Sequence, residues 1–194
     1  MINKLETYFD KDAALQDLIQ NKDSKIIEIT GETDAGKTSL ALYWSKKLEQ
    51  DSITFYQSFD KKITSSYLVD IKNCVLSLEA GVDNLSKSLF LFYEKLDLVI
   101  IDGFPFCDEP KRLLNLLQVI KERRKNITIL LINQLRYSFK KEKDISFYDK
   151  YVNRIIDYKI FLSKENQYIN VEKIRKTGDL KSIQNLNQLF SLLQ

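Results

Sequence analysis

Eight residues near the amino terminus constrain the fold of this chain more than any other feature. They read Gly31-Glu-Thr-Asp-Ala-Gly-Lys-Thr38 and follow a short isoleucine-rich run, Lys25–Thr30. Directly after them, residues 37–49 have the apolar spacing of a helix. A glycine-bracketed loop that joins a strand to a helix is typical of α/β proteins, in which helices alternate with the strands of a parallel sheet.

The rest of the chain repeats this alternation. The runs Leu96–Ile101 and Ile127–Ile132 are apolar nearly throughout, which is the pattern of strands covered on both faces. Further strands are predicted at 53–57 and 73–78, and helices at about 4–20, 83–95, 110–124 and 183–194. The runs Ile155–Leu162 and Tyr168–Arg175 predict a closing antiparallel hairpin. We therefore expect one α/β domain over residues 1–194, with a mostly parallel sheet flanked by helices.

The glycine-bracketed motif has a chemistry that explains its spacing. Glycines let successive backbone N–H groups converge on a phosphate, and the amino end of the next helix adds unpaired donors and a positive dipole. Lys37 would reach the β- and γ-phosphates of a nucleotide, and the Thr38 hydroxyl would bind Mg²⁺. The candidate nucleotide-binding residues are Gly31, Glu32, Thr33, Asp34, Ala35, Gly36, Lys37, Thr38 and Ser39.

Polar side chains follow both apolar strands where those strands end. Asp102 directly follows the first strand, where its carboxylate would complete the Mg²⁺ shell beside the phosphate loop. Gln134 follows the second strand by two residues. It either faces the nucleotide pocket and senses the γ-phosphate, or belongs to a polar turn that ends the strand.

Composition excludes several other classes of function. The chain has no histidine, and Cys74 and Cys107 lack metal-ligand spacing, which argues against zinc sites and histidine acid–base catalysis. No apolar run approaches the roughly 18 residues of a membrane span, and the amino terminus lacks a signal-type apolar region. We expect a cytoplasmic protein without a membrane partner. Residues 1–100 carry a net charge of −4 and residues 101–194 of +7.

Three segments in order resemble the ATPase core of the RecA/RadA recombinases: ITGETDAGKTSLAL, LDLVIIDG and ITILLINQLR. The likeness covers roughly residues 14–176. It implies a RecA-like P-loop NTPase core, ATP and Mg²⁺ as ligands, nucleotide-dependent self-assembly or a RecA-family partner, and single-stranded DNA as a partner in recombination or repair.

The resemblance also implies roles for individual residues. Lys37 would bind triphosphate, Thr38 and Asp102 would hold Mg²⁺, and Gln134 would couple the nucleotide to a DNA-binding loop at 136–150. Lys173 and Arg175 would reach a neighbouring subunit's nucleotide, although a basic edge strand explains them nearly as well. The candidate DNA-binding residues of the loop are Arg136, Tyr137, Phe139, Lys140, Lys141 and Lys143, and the alternative is a solvated loop with exposed aromatic rings.

One departure from the family weakens the expectation of catalysis. Phe59 stands where the family has the glutamate that activates water, and Asp60 lies one residue further on, where the side chain of an extended backbone points in another direction. We therefore expect slow ATP turnover. Two alternatives remain open: a catalytically degenerate accessory subunit that binds ATP or a partner ATPase, and a RecA-fold ATPase of a system that does not act on DNA.

Overall fold

The computed structural model describes residues 9–10, 12–48, 51–60, 63, 71, 73–78, 81–165 and 168–176, with side chains up to residue 164. The strands are β1 (Lys25–Gly31), β2 (Ile53–Ser58), β3 (Cys74–Ser77), β4 (Leu96–Asp102), β5 (Thr128–Ile132), β6 (Leu135–Ser138), β7 (Lys143–Ser146), β8 (Tyr158–Glu165) and β9 (Tyr168–Lys176). The helices are α1 (Ala13–Gln20), α2 (Lys37–Lys46), α3 (Val82–Phe92), α4 (Pro110–Arg123) and α5 (Asp149–Val152).

Within the described residues, seven strands form one sheet in the order β3-β2-β4-β5-β1-β8-β9. The first six are parallel, and β9 is antiparallel to β8. β1 lies near the centre, between β5 and β8, so the loop that follows it emerges at the carboxyl edge of the sheet. The predicted fold class, a mostly parallel sheet with an antiparallel closing pair, is confirmed.

Two apolar layers cover the faces of this sheet. One layer includes Leu15 of α1 and Leu40 and Trp44 of α2, packed against inward-facing residues of β1, β4 and β5. The other layer joins the apolar sides of α3, α4 and α5 to the opposite sheet face. Because successive strand residues point to opposite faces, β4 and β5 contribute to both layers, and their continuous apolar character follows.

Local signals explain where several helices begin. Asp12 caps α1, since its Oδ1 accepts a 2.9 Å hydrogen bond from the Leu15 N–H. Gly36 caps α2 in a left-handed conformation with φ 81°. Pro110 is the first residue of α4, as predicted, where its missing N–H removes no helical hydrogen bond.

The structure corrects the prediction of a loop at 136–150. Residues 135–146 form a separate antiparallel hairpin of β6 and β7, in which Arg136 pairs with Ile145 and Tyr137 with Asp144. The short helix α5 follows directly. The sequence did not indicate strands here because Lys140–Lys143 interrupts any regular alternation of apolar and polar residues.

Other boundaries differ less. β8 begins at Tyr158, not at Ile155, because α5 and a turn carry the chain to Asp157, whose N–H donates to the Ile26 carbonyl at 2.8 Å. The helix predicted over 4–20 is described at Phe9 and as α1 from Ala13 onward. The predicted helix at 183–194 lies outside the described residues.

Candidate functional site

The loop between β1 and α2 carries the glycine-bracketed motif at the carboxyl edge of the sheet. Gly31 ends β1 beside Leu162 of β8, and a Cβ at Gly31 would lie 2.0 Å from the Leu162 carbonyl oxygen. Only glycine fits at that approach. The backbone then turns through Asp34, with φ 59°, and Gly36, with φ 81°, before α2 begins. Both positive φ values allow the compact curl that a phosphate loop requires.

Lys37 lies at the first turn of α2 and bends back over the loop. Its Nζ donates to the Gly31 carbonyl at 3.0 Å and to the Glu32 carbonyl. Burial lowers the pKa of Lys37, and neighbouring carboxylates, Asp102 foremost, oppose that shift. The ammonium group is therefore held inside the curl of the loop, where an anion would gain most from it.

Thr38 and Asp102 meet at the same place. The Thr38 Oγ1 donates a 2.9 Å hydrogen bond to Asp102 Oδ2, which joins the start of α2 to the end of β4. Asp102 is buried, with 7% of its surface exposed. The two residues that the sequence singled out as metal ligands, 64 positions apart, are thus brought into direct contact.

Tyr56 of β2 is a member of this site that the sequence analysis missed. Its hydroxyl donates to the same Asp102 Oδ2 at 2.5 Å. Burial, and then the nearby Asp102 carboxylate, raise the pKa of Tyr56, so the phenol stays protonated and remains a donor. Burial also raises the pKa of Asp102, while the hydrogen bonds from Tyr56 and Thr38 oppose that shift. The sequence shows only a tyrosine within a predicted strand, and the pairing of that strand with β4 brings its hydroxyl to Asp102.

Asp60 follows β2 at the same edge of the sheet. Its Oδ1 accepts a 3.0 Å hydrogen bond from the Ser58 Oγ, and its backbone N lies 2.8 Å from where a Gly103 Cβ would stand. The charge of Asp60 contributes to raising the pKa of Asp102. Phe59, in contrast, is buried in the apolar layer on the opposite sheet face from Tyr56. A carboxylate therefore does lie near Asp102, one residue after the expected position.

The end of β5 connects the site to the β6–β7 hairpin. The Gln134 N–H donates to Asn133 Oδ1 at 2.8 Å, and the Gln134 carbonyl accepts from the Phe147 N–H at 3.1 Å. These contacts of Gln134 close the base of the hairpin. On the other strand, the Ser146 Oγ lies 3.5 Å from the Thr30 Oγ1, immediately before the glycine loop. The hairpin base is thus adjacent to the candidate phosphate site.

The outer part of the hairpin is basic and aromatic. Tyr137 and Phe139 are 55% and 88% exposed, and their rings form an edge-to-face pair with centroids 5.2 Å apart. The Arg136 guanidinium lies over the Phe147 ring at 5.5 Å. Of the predicted cations, Lys141 pairs with Asp149 at 3.3 Å. The other two, Lys140 and Lys143, are exposed.

Lys173 and Arg175 occupy alternate positions of β9. Lys173 pairs with Phe161 of β8, and Arg175 pairs with Lys159. The two residues are therefore two positions apart on one strand, which places them on the same face of the sheet. Their side chains lie outside the described part of the chain. Their proposed contact with a neighbouring subunit therefore stays a prediction.

The residues present fit a magnesium–nucleotide ligand. The Thr38 hydroxyl and Asp102 carboxylate are hard oxygen ligands, and the amino end of α2 presents backbone donors beside them. No group of three or more histidine, cysteine or acidic side chains among the described residues could hold a metal by itself. Such a sparse donor set suits Mg²⁺, which is usually bound through one or two protein oxygens together with substrate phosphates.

The glycine loop thus follows the central strand β1, and Asp102 ends β4, two places away in the sheet. No family model and no curated protein sequence matches the chain. Among solved structures, the chain is similar to a RadB recombinase, with TM-score 0.60, 16% identity, and coverage of 79% of this chain and 82% of that one. It is equally similar to a KaiC-like protein from the hyperthermophilic archaeon Pyrococcus horikoshii, with TM-score 0.60, 16% identity, and coverage of 84% and 83%.

These likenesses show that the chain has the RecA-like, recombinase-type fold. The resemblance drawn from the three sequence segments is confirmed at the level of the fold. In the described part of the chain, no helix is both long and apolar enough to cross a membrane.

Proposed function

We propose that this chain is a single-domain, cytoplasmic ATP-binding protein of RecA type that acts with single-stranded DNA. The observation that carries the nucleotide part is the direct contact between Thr38 and Asp102 beside the curled loop that contains Lys37. A buried carboxylate, a threonine hydroxyl and a lysine thus converge on the amino terminus of α2.

Each residue of the loop has a defined task under this proposal. The backbone N–H groups of residues 31–39 bind the phosphates, and Lys37 neutralises the β- and γ-phosphates. Thr38 and Asp102 hold Mg²⁺, which would supply charge neutralisation on the phosphate oxygens. Tyr56 orients Asp102, and its hydrogen bond opposes the rise that burial causes in the pKa of Asp102.

Turnover is expected to be slow. The side chain of Phe59 is part of the apolar layer and cannot activate water. Asp60 is the candidate base, since it lies beside Asp102, but it is held by the Ser58 hydroxyl. An accessory subunit that binds ATP with little hydrolysis is therefore a specific form of this proposal, and Phe59 is the residue that favours it.

The β6–β7 hairpin supports single-stranded DNA as the partner. Cationic side chains for phosphates and exposed rings for unpaired bases are the two features that single-strand binders combine. Tyr137 and Phe139 are exposed together at its outer part, and Lys140, Lys141 and Lys143 follow them in the sequence. Exposed aromatic rings gain free energy when unpaired bases stack on them.

Self-assembly is the third element of the proposal. Lys173 and Arg175 would extend from β9, an outer strand of the sheet, toward the nucleotide of a neighbouring copy or a RecA-family partner. Cations placed there would neutralise charge that develops during phosphoryl transfer.

The test measures nucleotide and DNA binding on the same samples. Binding of a fluorescent ATP analogue is titrated with Mg²⁺ and with EDTA, for the unaltered chain and for Lys37→Ala. A labelled oligothymidylate is titrated with and without the ATP analogue, and sedimentation reports assembly. Magnesium-dependent uptake that Lys37→Ala abolishes supports the nucleotide part, and equal binding by both proteins contradicts it.

A second candidate function is a RecA-fold ATPase of a non-DNA system. The observation that favours this candidate is the equal similarity of the chain to a KaiC-like protein and to a RadB recombinase. Nucleotide-dependent assembly without any salt-sensitive oligonucleotide binding would select this candidate over the first.

A further inference from the structure

A charged pair is buried in the centre of the sheet. Glu28, on β1 three residues before Gly31, is completely buried. Its Oε2 lies 2.7 Å from the Nζ of Lys159 on β8, which is 6% exposed. Burying an ion pair costs several kcal/mol of hydration per ion, and apolar residues of similar volume are often as stable or more so. The pair is thus poorly explained by stability alone.

The surroundings of the pair show what it holds. The Lys159 Nζ also donates to the Ser146 Oγ on β7 at 2.7 Å, and lies 3.4 Å from Asp149 Oδ1 at the start of α5. The two carboxylates and the hydroxyl lie around one ammonium group. Lys159 therefore links the central strand to the second strand of the hairpin and to the helix that follows it.

Asn133, two residues before β6, makes similar contacts at the base of the hairpin. Its Nδ2 donates to Glu28 Oε1 at 2.7 Å and to the Phe147 carbonyl at 2.8 Å, and its Oδ1 accepts from the Gln134 N–H. The side chain is completely buried. Both ends of the hairpin thus converge on Glu28. We call Glu28, Lys159, Asn133, Ser146 and Asp149 the anchor network.

We propose that the anchor network holds the base of the β6–β7 hairpin on β1, so that the position of the hairpin depends on the strand that carries the phosphate loop. Glu28, Lys159 and Asn133 are positioning residues in this scheme, not ligands of nucleotide or DNA. Coupling between nucleotide and DNA binding through this network rests on the proposed function; the anchoring itself does not.

The geometry allows a displacement to pass from the phosphate loop to the hairpin and from the hairpin to the phosphate loop. β1 runs from Glu28 directly to Thr30 and Gly31, and Thr30 itself touches the hairpin through Ser146. A displacement of the loop backbone would move Glu28 and Thr30 together. Because the energy of an ion pair changes more per ångström in a low dielectric than in water, the hairpin would follow the strand.

The test replaces the pair by apolar residues of similar volume, Glu28→Leu with Lys159→Met. This double variant should remain folded, since no charge of the pair is left buried alone. Hydrogen exchange is followed by mass spectrometry on peptides that cover residues 133–148. We expect exchange in β6 and β7 to become about tenfold faster or more, with unchanged exchange in β4 and β5.

A matched control removes a second ion pair at the opposite end of β1. Lys121 pairs with Asp157 at 2.6 Å, and Asp157 also accepts from the Ile26 N–H. Lys121→Met with Asp157→Asn should leave hairpin exchange unchanged. If the first double variant does not fold, Ser146→Ala is used in its place. This change removes only the β7 hydroxyl that accepts a hydrogen bond from Lys159, and hairpin exchange is compared with the same control.

The outcomes separate the anchoring from the proposed function. Unchanged hairpin exchange in a folded variant, or equal acceleration across the whole sheet, overturns the anchor. If the unaltered chain binds ATP analogue and oligothymidylate, the change in DNA affinity caused by nucleotide should fall toward onefold in the variant, with nucleotide affinity retained. If the unaltered chain binds neither, the proposed function fails while the exchange result still decides the anchor.

Discussion

Salt dependence of DNA binding is a quantitative test of the hairpin's role. The hairpin presents four candidate phosphate contacts, namely Arg136, Lys140, Lys141 and Lys143. For single strands, the logarithm of affinity falls with the logarithm of salt concentration by about 0.7 per phosphate contact, which gives a slope of about −2.8. Oligothymidylate affinity should therefore drop about 50-fold between about 50 and about 200 mM salt.

Removing two of these cations halves the expected slope. Lys140→Ala with Lys141→Ala leaves two contacts, a slope of about −1.4, and a drop of about sevenfold over the same range. Fluorescence anisotropy at four or more salt concentrations gives both slopes. Lys141, which is half exposed, also pairs with the partly buried Asp149 at 3.3 Å; water reaches the lysine, so this pair should not prevent Lys141 from binding phosphate.

The control carries the same change in net charge at the other end of the sheet. Lys95 and Lys125 are exposed and precede β4 and β5, whereas the hairpin follows β5 at the carboxyl edge. Lys95→Ala with Lys125→Ala should keep the slope of the unaltered chain. Equal slopes for both double variants would refute the assignment of the hairpin as the DNA-binding element.

Three further predictions concern the site and its sheet. Tyr56→Phe should weaken magnesium-dependent nucleotide binding about tenfold, without effect in EDTA, because Asp102 loses an orienting hydrogen bond; calorimetric titration measures both. Gly31→Ala should lower the melting temperature and abolish nucleotide uptake, since its Cβ would meet the Leu162 carbonyl. Burial lowers the pKa of Lys25 from 10.5 to about 8 in the folded protein. Between these two pH values the unfolded chain binds more protons than the folded chain, so the free energy of unfolding rises with pH. Urea unfolding should gain about 2 kcal/mol between pH 7.5 and 9.5, absent in Lys25→Met.

Each of these three predictions has a result that contradicts it. Equal magnesium dependence in Tyr56→Phe would mean that the phenol does not orient Asp102. A normal melting temperature for Gly31→Ala would mean that β1 and β8 are further apart than described. A Lys25→Met protein with the same pH dependence as the unaltered chain would place the titration elsewhere.

The sequence by itself determined the glycine loop, the strands that flank it and the fold class. Those predictions rest on local requirements: a curled backbone needs glycine at Gly31 and Gly36, and strands buried on both faces need continuous apolar runs such as Leu96–Ile101. Asp102 was predictable for the same reason, because it ends such a run. These properties are encoded within a few neighbouring residues.

The tertiary structure decided what depends on residues far apart in the chain. Tyr56 belongs to the site only because β2 lies beside β4, and the base of the hairpin contacts buried partners that lie far away in the sequence. In the sequence, Glu28 is one polar residue in an isoleucine-rich strand. Its contacts with Lys159 and Asn133, which lie more than a hundred residues later, are visible only in the folded structure. A buried charge is stable only with its partners in place, and strand order, which no local pattern encodes, determines which partners those are.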